Sequence, residues 1–292
     1  MEENKSYQNK NCQNKSCQNK SYQSKVIRLK ELMENDTKQD IAIAFSGGVD
    51  SSLLLRVACE YAKKNHTEVY AYTIHTMLHP MGELELTKRL AKEEGAIHKV
   101  IQVNELTEAD ITYNPENRCY LCKKCMFQKL KKDAEENGIT TILEGTNLDD
   151  TKVYRPGIAA IKELGIKSPL LLAEFTKEEV RKLAGQYGIS AAQKPSAPCM
   201  ATRFPYGTRL DSEELKRADM LEERIRALGF YNVRARIYGT LVRIEVDGED
   251  LNKLMTMRDE IITMTKHLGY DYVTVDLEGF RSGSQDIHIR KE

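Results

Sequence analysis

Net charge, a long apolar run and the apolar core of a signal peptide are all missing from this sequence. The 44 basic residues are balanced by 44 acidic ones, so no bulk field favours nucleic acid or an anionic membrane as a partner. No apolar stretch approaches the ~18 residues of a membrane span, and the N-terminus is polar and lysine-rich. We therefore expect a cytoplasmic protein. In that reducing compartment the seven cysteines are more often ligands or nucleophiles than disulfides.

The length of 292 residues suits about two domains with a real core. Residues 6–25 read SYQNK NCQNK SCQNK SYQSK, four near-copies of a short polar unit. Such low apolar content predicts disorder over residues 1–25. Cys12 and Cys17 stand where the flanking copies have tyrosine, so we interpret them as drift within the repeat. Residues 26–35 have apolar residues at helical spacing and predict a first helix.

The strongest local pattern is IAIAFSGGVDSSLLL, from Ile41 to Leu55. It predicts a buried strand, a tight glycine turn and the start of a helix, an arrangement whose free backbone N–H groups bind anions. The loop contains no lysine, so it is not the GxxxxGK[ST] loop that cradles β- and γ-phosphates. The candidate nucleotide-binding residues of the loop are Ser46, Gly47, Gly48, Asp50, Ser51 and Ser52.

Strands and helices alternate along the first two thirds of the chain. The pattern predicts strands at 41–45, 68–74, 96–103 and 140–143, and helices ending near Lys64 and at 83–95, 122–137 and 177–187. Thr176 is the expected N-cap of the last helix, with Glu179 completing a capping box. The alternation predicts an α/β domain over residues 26–208 with a doubly wound parallel sheet, whose ligands bind at the carboxyl ends of the strands.

The pattern changes after an irregular segment, residues 193–208, that contains three prolines. We expect a capped helix over 211–228, a hairpin from residues 232–238 and 241–246, a helix over 251–268 and a strand over 272–277. These elements predict a smaller α+β domain over residues 209–292.

Four cysteines outside the repeat could carry chemistry. Cys119, Cys122 and Cys125 stand in RCYLCKKC, and Cys199 stands in APCMATR. Cys-x-x-Cys is a chelating spacing used for zinc and for iron–sulfur clusters, although three helix cysteines with nothing bound is the alternative. Cys199 suits a reactive or ligating thiol, or else a small buried residue of a loop. Cys59 lies on the apolar face of the helix after the loop and is expected in the core.

Charged residues give weaker signals. Asp149 and Asp150 could help hold Mg²⁺ or cap a helix. Arg234 and Arg236 share one face of a predicted strand, and with Arg281 they could form a phosphate clamp or belong to a solvated surface. Glu222 and Glu245 are candidate metal ligands on weaker grounds.

SGGVDSS resembles the pyrophosphate loop of the ATP pyrophosphatase (PP-loop) superfamily, whose members transfer AMP from ATP to a substrate oxygen. Further segments resemble one branch of it, the LarE family of ATP-dependent sacrificial sulfur transferases, which build the nickel-pincer nucleotide of lactate racemase. The resemblance covers residues 40–284, and its matching runs are FSGGVDSS (45–52), NRCYLCK (117–123), EGTNLDD (144–150), YRPG (154–157), LGIKSPL (164–170), KPSAPCMATRFPYGT (194–208), LGFYNVRAR (228–236), VRIEV (242–246) and GFRSGS (279–284).

The resemblance implies that ATP and Mg²⁺ adenylylate the carboxylates of pyridinium-3,5-biscarboxylic acid mononucleotide, and that sulfur then displaces AMP to give thiocarboxylates. It places Thr146 with the loop in the ATP site and makes Cys199 the sulfur-delivering residue. The resemblance also implies that Arg234, Arg236 and Arg281 bind the substrate phosphate, while Glu222 and Glu245 lie near the reacting centre.

The family has two sources of sulfur. In one, the cysteine gives up its own sulfur and becomes dehydroalanine. In the other, three cysteines hold a [4Fe–4S] cluster whose free iron carries sulfide. Cys119, Cys122 and Cys199 match that ligand pattern, so the resemblance implies the iron–sulfur type with a [4Fe–4S] cluster as cofactor. Cys125 would then be a spare thiol, because a helix separates it from Cys119 by nearly two turns. The family also implies a homo-oligomer, in which the domain over residues 209–292 would serve substrate binding and oligomerisation.

Three other functions remain as alternatives. A tRNA thiolase can combine the same loop with Cys-x-x-Cys and a distal cysteine, although zero net charge and the lack of a basic RNA-binding domain are against it. An amidating synthetase of the superfamily would use ammonia and need no cysteine. A non-catalytic zinc or cluster carrier would release no pyrophosphate from ATP.

Overall fold

The computed structural model describes residues 21–79, 83–153, 155–190, 199–281 and 283–286. The predicted disorder of the first 20 residues, with Cys12 and Cys17, therefore lies outside the described residues, as does most of the irregular segment before Cys199. In the described chain, residues 21–73, 86–100 and 129–190 form a first compact unit, and the remaining residues form a second. The domain boundary at residue 208 stays a prediction. The structure groups residues 199–208 with the C-terminal unit.

A four-stranded sheet is built from β1 (Ile41–Ala44), β2 (Val69–His75), β3 (Ile97–Gln102) and β4 (Thr141–Leu143). Its strand order is β3-β2-β1-β4, and β1 runs parallel to both β2 and β4. The parallel α/β class predicted from the alternating pattern is thereby confirmed. Because the loop after β1 follows the C-terminal end of a parallel strand, it lies at the carboxyl edge of the sheet, where such sheets bind ligands.

Helices accompany these strands along the chain. They are α1 (residues 21–36), α2 (Val49–Asn65), α3 (Glu83–Glu94), α4 (Glu105–Glu108), α5 (Arg118–Glu136), α6 (Gly157–Glu163), α7 (Pro169–Leu172) and α8 (Lys177–Gln186). The apolar run Leu53, Leu54 and Leu55 of α2 is fully buried in one core with Ile41 and Ile43 of β1. Burial of this run stabilises the junction between strand and helix, at roughly 1.5–3 kcal/mol per large side chain.

Two helices begin earlier than the sequence predicts. The first helix is already present at residue 21, where the described chain begins, rather than from 26; Tyr22 packs edge-on against Phe175 and Lys25 pairs with Glu179. α5 starts at Arg118 rather than at residue 122. Cys119 therefore lies on the same helix as Cys122 and Cys125.

The second unit contains α9 (Ser212–Ala227), β5 (Val233–Tyr238), β6 (Leu241–Val246), α10 (Leu251–Thr256), α11 (Arg258–His267) and β7 (Tyr272–Val275). β5 and β6 form the predicted antiparallel hairpin, and β7 adds to β6 in parallel. Asp211 caps α9, its carboxylate accepting the N–H groups of Glu213 and Glu214.

The single helix predicted over residues 251–268 is wrong. The structure has two helices, α10 and α11, that meet at Met257, whose ψ of 14° departs from the helical range. The N–H of Met257 bonds to the carbonyl of Leu254, a tight i→i−3 bond that ends the first helix. Both segments keep helical spacing, so the sequence pattern does not reveal the break.

None of the helices in the described part of the chain has the length and apolar character that crossing a membrane requires.

Candidate active site

The loop after β1 is a glycine turn that leads into an uncapped helix. Gly48 is the N-cap of α2 and offers no side chain to the first N–H groups. Ser51 donates its hydroxyl to the carbonyl of Gly48 and accepts the N–H of Ser46, which braces the turn. The buried hydroxyl of Ser52 has no hydrogen-bond partner among the described residues. Uncapped N–H groups and a spare hydroxyl are donors available to an anion.

Two glycines make the turn possible. Gly47 has a φ of +70°, and a Cβ there would lie 3.1 Å from the Thr87 side chain. Gly145, just after β4, packs so closely on the loop that a Cβ would lie 3.1 Å from both the Asp50 Cβ and the Ser51 nitrogen. Backbone therefore lies directly against backbone at this edge, and only glycine fits without a shift.

Asp50 is held by two side chains from distant parts of the sequence. The Asn147 amide donates to one carboxylate oxygen at 3.0 Å, and the Lys177 ammonium pairs with the other. Lys177 is the first residue of α8, whose predicted capping box is confirmed: Thr176 accepts the N–H of Glu179, and Glu179 accepts the N–H of Thr176. The structure thus brings a cation to a loop whose own sequence has none.

The residues after β4 act mainly as supports. Thr146 is buried, and both its N–H and its hydroxyl donate to Glu144. Asp150 completes a capping box with Asn147, and Asp149 accepts the backbone N–H of Lys177 at 2.8 Å. The helix-capping interpretation of Asp149 and Asp150 therefore describes their contacts in this structure. The role of Thr146 in ATP binding stays a prediction.

In the second unit, Cys199 begins a short 3₁₀ turn, Met200–Arg203. Arg203 is 1% exposed and forms two 2.7 Å hydrogen bonds to the carboxylate of Glu222, which is fully buried. Its third nitrogen donates to the carbonyl of Cys199 at 3.3 Å. The arginine thus anchors the backbone of Cys199 to α9.

A second bidentate pair, Arg236 with Glu245, contacts the same turn. Arg236 on β5 donates to both oxygens of Glu245 on β6, at 3.0 and 2.9 Å, and to the carbonyl of Thr202 at 2.6 Å. Ser284 donates to Glu245 and accepts from Arg236. The predicted residues Glu222, Glu245 and Arg236 are therefore connected to the turn of Cys199.

The other two predicted phosphate-binding arginines differ from one another. Arg234 and Arg236 are 6% and 4% exposed, which excludes a solvated strand face for them. Burial, followed by the charge of Arg203, lowers the pKa of Arg234 to about 10, so a bound anion would relieve this cation. Arg281 lies apart from the Cys199 turn in its contacts, pairing with Glu278 at 2.6 Å.

Burial raises the pKa of the Glu222 carboxyl, but the charge and hydrogen bonds of Arg203 outweigh burial, so the pKa lies below its usual value. Glu222 is therefore an anion at neutral pH. An arginine in two charge-assisted hydrogen bonds to such a carboxylate is held in one orientation.

The cysteines of α5 are tied to the segment of Cys199 by Asn114. This residue is fully buried and donates to the carbonyls of Phe204 and Pro205 at 3.1 and 2.8 Å. Its own side-chain oxygen accepts a hydrogen bond from Arg118, the first residue of α5. The chain before Cys119 and the chain after Cys199 are thus bonded together.

The thiols influence one another electrostatically. Burial raises the pKa of Cys122, and negative charge on Cys199 would raise it further. Burial likewise raises the pKa of Cys199, while the positive charge of Arg118 opposes the rise. Both thiols are protonated at neutral pH in this arrangement. No three Cys, His, Asp or Glu side chains of the described residues are grouped as ligands for a metal ion.

Sequence reasoning missed three residues. The sequence pattern gives Arg203 no role, and it gives Lys177 none beyond the start of a predicted helix. Glu105 lies fully buried on α4, a helix that the sequence pattern did not predict, and its charge acts on both Cys122 and Cys199. Lys177 carried a local signal, because a cation at the start of a helix opposes the helix dipole.

Comparison with known proteins connects this geometry to chemistry. A family model described as a PP-loop domain matches residues 21–152. An uncharacterised protein of Synechocystis sp. is 38% identical over 251 residues, which cover 85% of this chain and 92% of that protein. The pyridinium-3,5-bisthiocarboxylic acid mononucleotide synthase of Lactiplantibacillus plantarum is 33% identical over 253 residues, which cover 87% of this chain and 91% of the synthase.

A more distant similarity involves tRNA modification. The tRNA-specific 2-thiouridylase MnmA of Rickettsia bellii is 24% identical over 200 residues, which cover 56% of this chain and 53% of that enzyme. The similarities at 38% and 33% extend far beyond the PP-loop domain, whereas this one covers about half of each chain.

Proposed function

The chain belongs to the PP-loop family that includes pyridinium-3,5-bisthiocarboxylic acid mononucleotide synthase, and from this membership we propose that it converts the two carboxylates of the corresponding pyridinium mononucleotide to thiocarboxylates for the nickel-pincer cofactor. It is an ATP-dependent sulfurtransferase. The substrate, the source of sulfur and the roles of individual residues are the proposed part. The observation that carries the proposal is the anchored turn of Cys199, held by Arg203–Glu222 and Arg236–Glu245.

The first step is adenylylation of a carboxylate. The glycine turn from Ser46 to Ser52 binds the β- and γ-phosphates through uncapped N–H groups and hydroxyls. The substrate carboxylate attacks the α-phosphorus, the bond to the bridging oxygen breaks, and pyrophosphate leaves. A carboxylate oxygen is a poor leaving group, whereas AMP is a good one, so this step prepares the carbon for sulfur.

The second step uses Cys199. The Cys199 thiol loses its proton to solvent, its sulfur attacks the activated carbonyl carbon, AMP departs, and a thioester links enzyme and substrate. Loss of the α-proton of Cys199 with cleavage of the Cβ–Sγ bond leaves dehydroalanine on the chain and a thiocarboxylate on the product. Arg118 supports the thiolate, because its charge opposes the rise in the pKa of Cys199.

The arginines of the hairpin bind the substrate phosphate. Arg234 suits this role because its pKa is lowered by burial and by nearby cations, so an anion is favourable there. Arg236 and Arg281 are assigned to the same phosphate on the family pattern. Glu222 and Glu245 orient Arg203 and Arg236, and through them the Cys199 turn.

Mg²⁺ fits the first site through Asp50. Magnesium with a nucleotide is commonly bound by one or two carboxylates together with the phosphates. Asp50 lies in the first turn of α2, where its carboxylate already faces a cation. Bound Mg²⁺ would neutralise charge on the leaving pyrophosphate.

A [4Fe–4S] cluster held by Cys119, Cys122 and Cys199 is the alternative sulfur carrier. The thiols are near enough to affect one another, but in the described residues they are not arranged as a ligand set, so no step is derived through a cluster. Iron and acid-labile sulfide analysis after anaerobic purification decides between the two routes. A brown protein indicates the cluster. A colourless one in which Cys199 loses the elements of H₂S per turnover indicates the sacrificial route.

The variant Cys199→Ala tests the proposal. It should still release pyrophosphate when ATP and the pyridinium dicarboxylate are supplied, because the loop is intact, yet form no thiocarboxylate. Mass spectrometry of the product and a pyrophosphate assay measure the two steps separately. Cys59→Ser is the matched control, since Cys59 packs against the core of the first unit and should leave both steps unchanged.

Thiocarboxylate formation by Cys199→Ala at the wild-type rate contradicts the role of Cys199. Activity with ammonia after every cysteine is replaced by serine indicates an amidating synthetase, and absence of pyrophosphate release with any carboxylate indicates a carrier. Specific retention of tRNA at moderate salt indicates a thiolase like MnmA. Our proposal further expects a small-molecule substrate, no nucleic acid or membrane partner, and a homo-oligomer measurable by light scattering.

A further inference from the structure

The PP-loop of this chain binds a highly charged nucleotide without a cation of its own. Residues 46–52 contain no lysine or arginine. In the folded first unit, however, the Lys177 ammonium lies on the Asp50 carboxylate, 127 positions away in the sequence. The lysine side chain is 37% exposed, so solvent and ligands can reach it.

The position of Lys177 opposes a local rule of helix structure. It is the first residue of α8, where the helix dipole disfavours a positive charge. The chain compensates: the capping box of Thr176 and Glu179 secures the helix start, and Asp149 accepts the Lys177 N–H at 2.8 Å. A residue that breaks a local rule and is supported from several sides is typical of a functional position.

We propose that Lys177 is the phosphate-binding cation of the ATP site, stored on Asp50 until the nucleotide arrives. On binding, the ammonium moves from Asp50 to the β- and γ-phosphates, and Asp50 becomes available to Mg²⁺. Lysine suits the exchange because its ammonium is a point charge on a flexible four-carbon stem that reorients without movement of the helix. The exchange leaves both charges paired. The Lys177 ammonium exchanges the Asp50 carboxylate for the phosphates, and the carboxylate exchanges the ammonium for Mg²⁺.

Two further observations fit a phosphate at this place. The buried Ser52 hydroxyl has no hydrogen-bond partner among the described residues, and the first turn of α2 lacks a side-chain cap. Asn147 holds the second oxygen of Asp50 at 3.0 Å, so the carboxylate keeps its orientation when the lysine leaves. The site is therefore arranged to lose one ion pair without losing the position of Asp50.

Calorimetric titration tests the inference with a readout that is independent of turnover. The ligands are ATP, pyrophosphate and AMP, each with and without Mg²⁺. Lys177→Met should bind ATP and pyrophosphate about 10- to 100-fold more weakly, the loss typical of one charge-assisted hydrogen bond, while AMP affinity changes little. Lys177→Arg should recover part of the loss.

Lys182→Met is the matched control. Lys182 lies about 140° around the same helix and contacts the Tyr22 ring at 4.2 Å, so its removal should leave nucleotide affinity unchanged. Thermal unfolding confirms that each variant is folded. A folded Lys177→Met protein that binds ATP within about threefold of wild type overturns the inference.

A double variant distinguishes a direct contact between Lys177 and phosphate from an indirect role in which Lys177 only holds Asp50 in place. If Lys177 acts only by holding Asp50, Lys177→Met has no further effect in an Asp50→Asn background, and that result also overturns the inference. A persisting loss of pyrophosphate affinity supports it. The inference rests on ATP use and not on the acceptor. A wild type that binds ATP but acts on another carboxylate would contradict the proposed function alone.

Discussion

At the scale of single residues, the two candidate sites depend on pairs that are far apart in sequence. Arg203 and Glu222 are both almost completely buried, and each satisfies the charge of the other. A buried charge without a partner is costly, so removing one member typically destabilises a protein by about 3–5 kcal/mol. Arg203 also donates to the carbonyl of Cys199, so a pair that stabilises the fold also positions the proposed sulfur-delivering residue.

Gly145→Ala provides a residue-scale prediction for the ATP site. The added Cβ would lie 3.1 Å from the Asp50 Cβ and the Ser51 nitrogen, so loop and strand end must move apart. We expect a loss of stability of about 1–3 kcal/mol, as in overpacked cores, together with weaker ATP binding. Urea unfolding and calorimetry measure the two effects.

Gly185→Ala is the control for this substitution. It adds the same methyl group to α8, where a Cβ meets nothing within 4 Å. Stability there should rise or remain unchanged, because alanine favours a helix over glycine by up to about 1 kcal/mol. Equal behaviour of the two variants would contradict the close packing of Gly145 on the loop.

At the scale of elements, the capping box of α8 helps to set a contact between residues that are far apart in the sequence. The Thr-x-x-Glu pattern predicts the helix start, and both hydrogen bonds of the box are present. Because Lys177 follows the cap directly, the position of the cap also sets the position of the ammonium on Asp50.

Thr176→Ala should therefore have two effects. Loss of the cap costs about 1 kcal/mol of stability. Fraying of the first turn of α8 should also weaken ATP binding, since Lys177 is no longer held at the loop. Thr176→Ser keeps the hydroxyl and should restore both properties, and a Thr176→Ala protein with reduced stability but unchanged ATP affinity would contradict this coupling.

At the scale of the whole molecule, stability should depend on pH through Glu222. Its folded pKa lies below the ordinary value of 4.5, so its contribution is fully present above that pH. As the pH falls from 4.5 through the folded pKa, the carboxylate gains a proton and the contribution is lost. Acid should thus destabilise the wild type.

Urea unfolding between pH 7 and pH 3 measures this dependence. Glu222→Gln should be less stable than wild type at pH 7 by about 3–5 kcal/mol, because Arg203 remains buried without its carboxylate. As the pH falls, the free energy of unfolding of this variant should decrease less than that of the wild type. Glu223→Gln removes an exposed neighbouring carboxylate and serves as the control. Parallel pH profiles for wild type and Glu222→Gln would show that Glu222 does not carry the effect.

Local signals in the sequence determine much of this molecule. The strand, glycine turn and helix from Ile41 to Leu55, the cap at Thr176 and the hairpin of β5 and β6 were all predicted, because each depends on neighbours a few residues apart. The break at Met257 was missed, since both sides of it keep helical spacing.

Only the tertiary structure decided which charges meet. Asp50 and Lys177 are 127 residues apart, and Arg203 and Glu222 are 19 apart, so no short pattern connects them. Whether an arginine on a strand is solvated or buried likewise depends on what packs against that strand, as Arg234 shows. The sequence by itself determined a PP-loop fold with its anion-binding turn. Long-range packing determined the partners of its ions, because a buried charge is stable only where the fold brings an opposite charge to it.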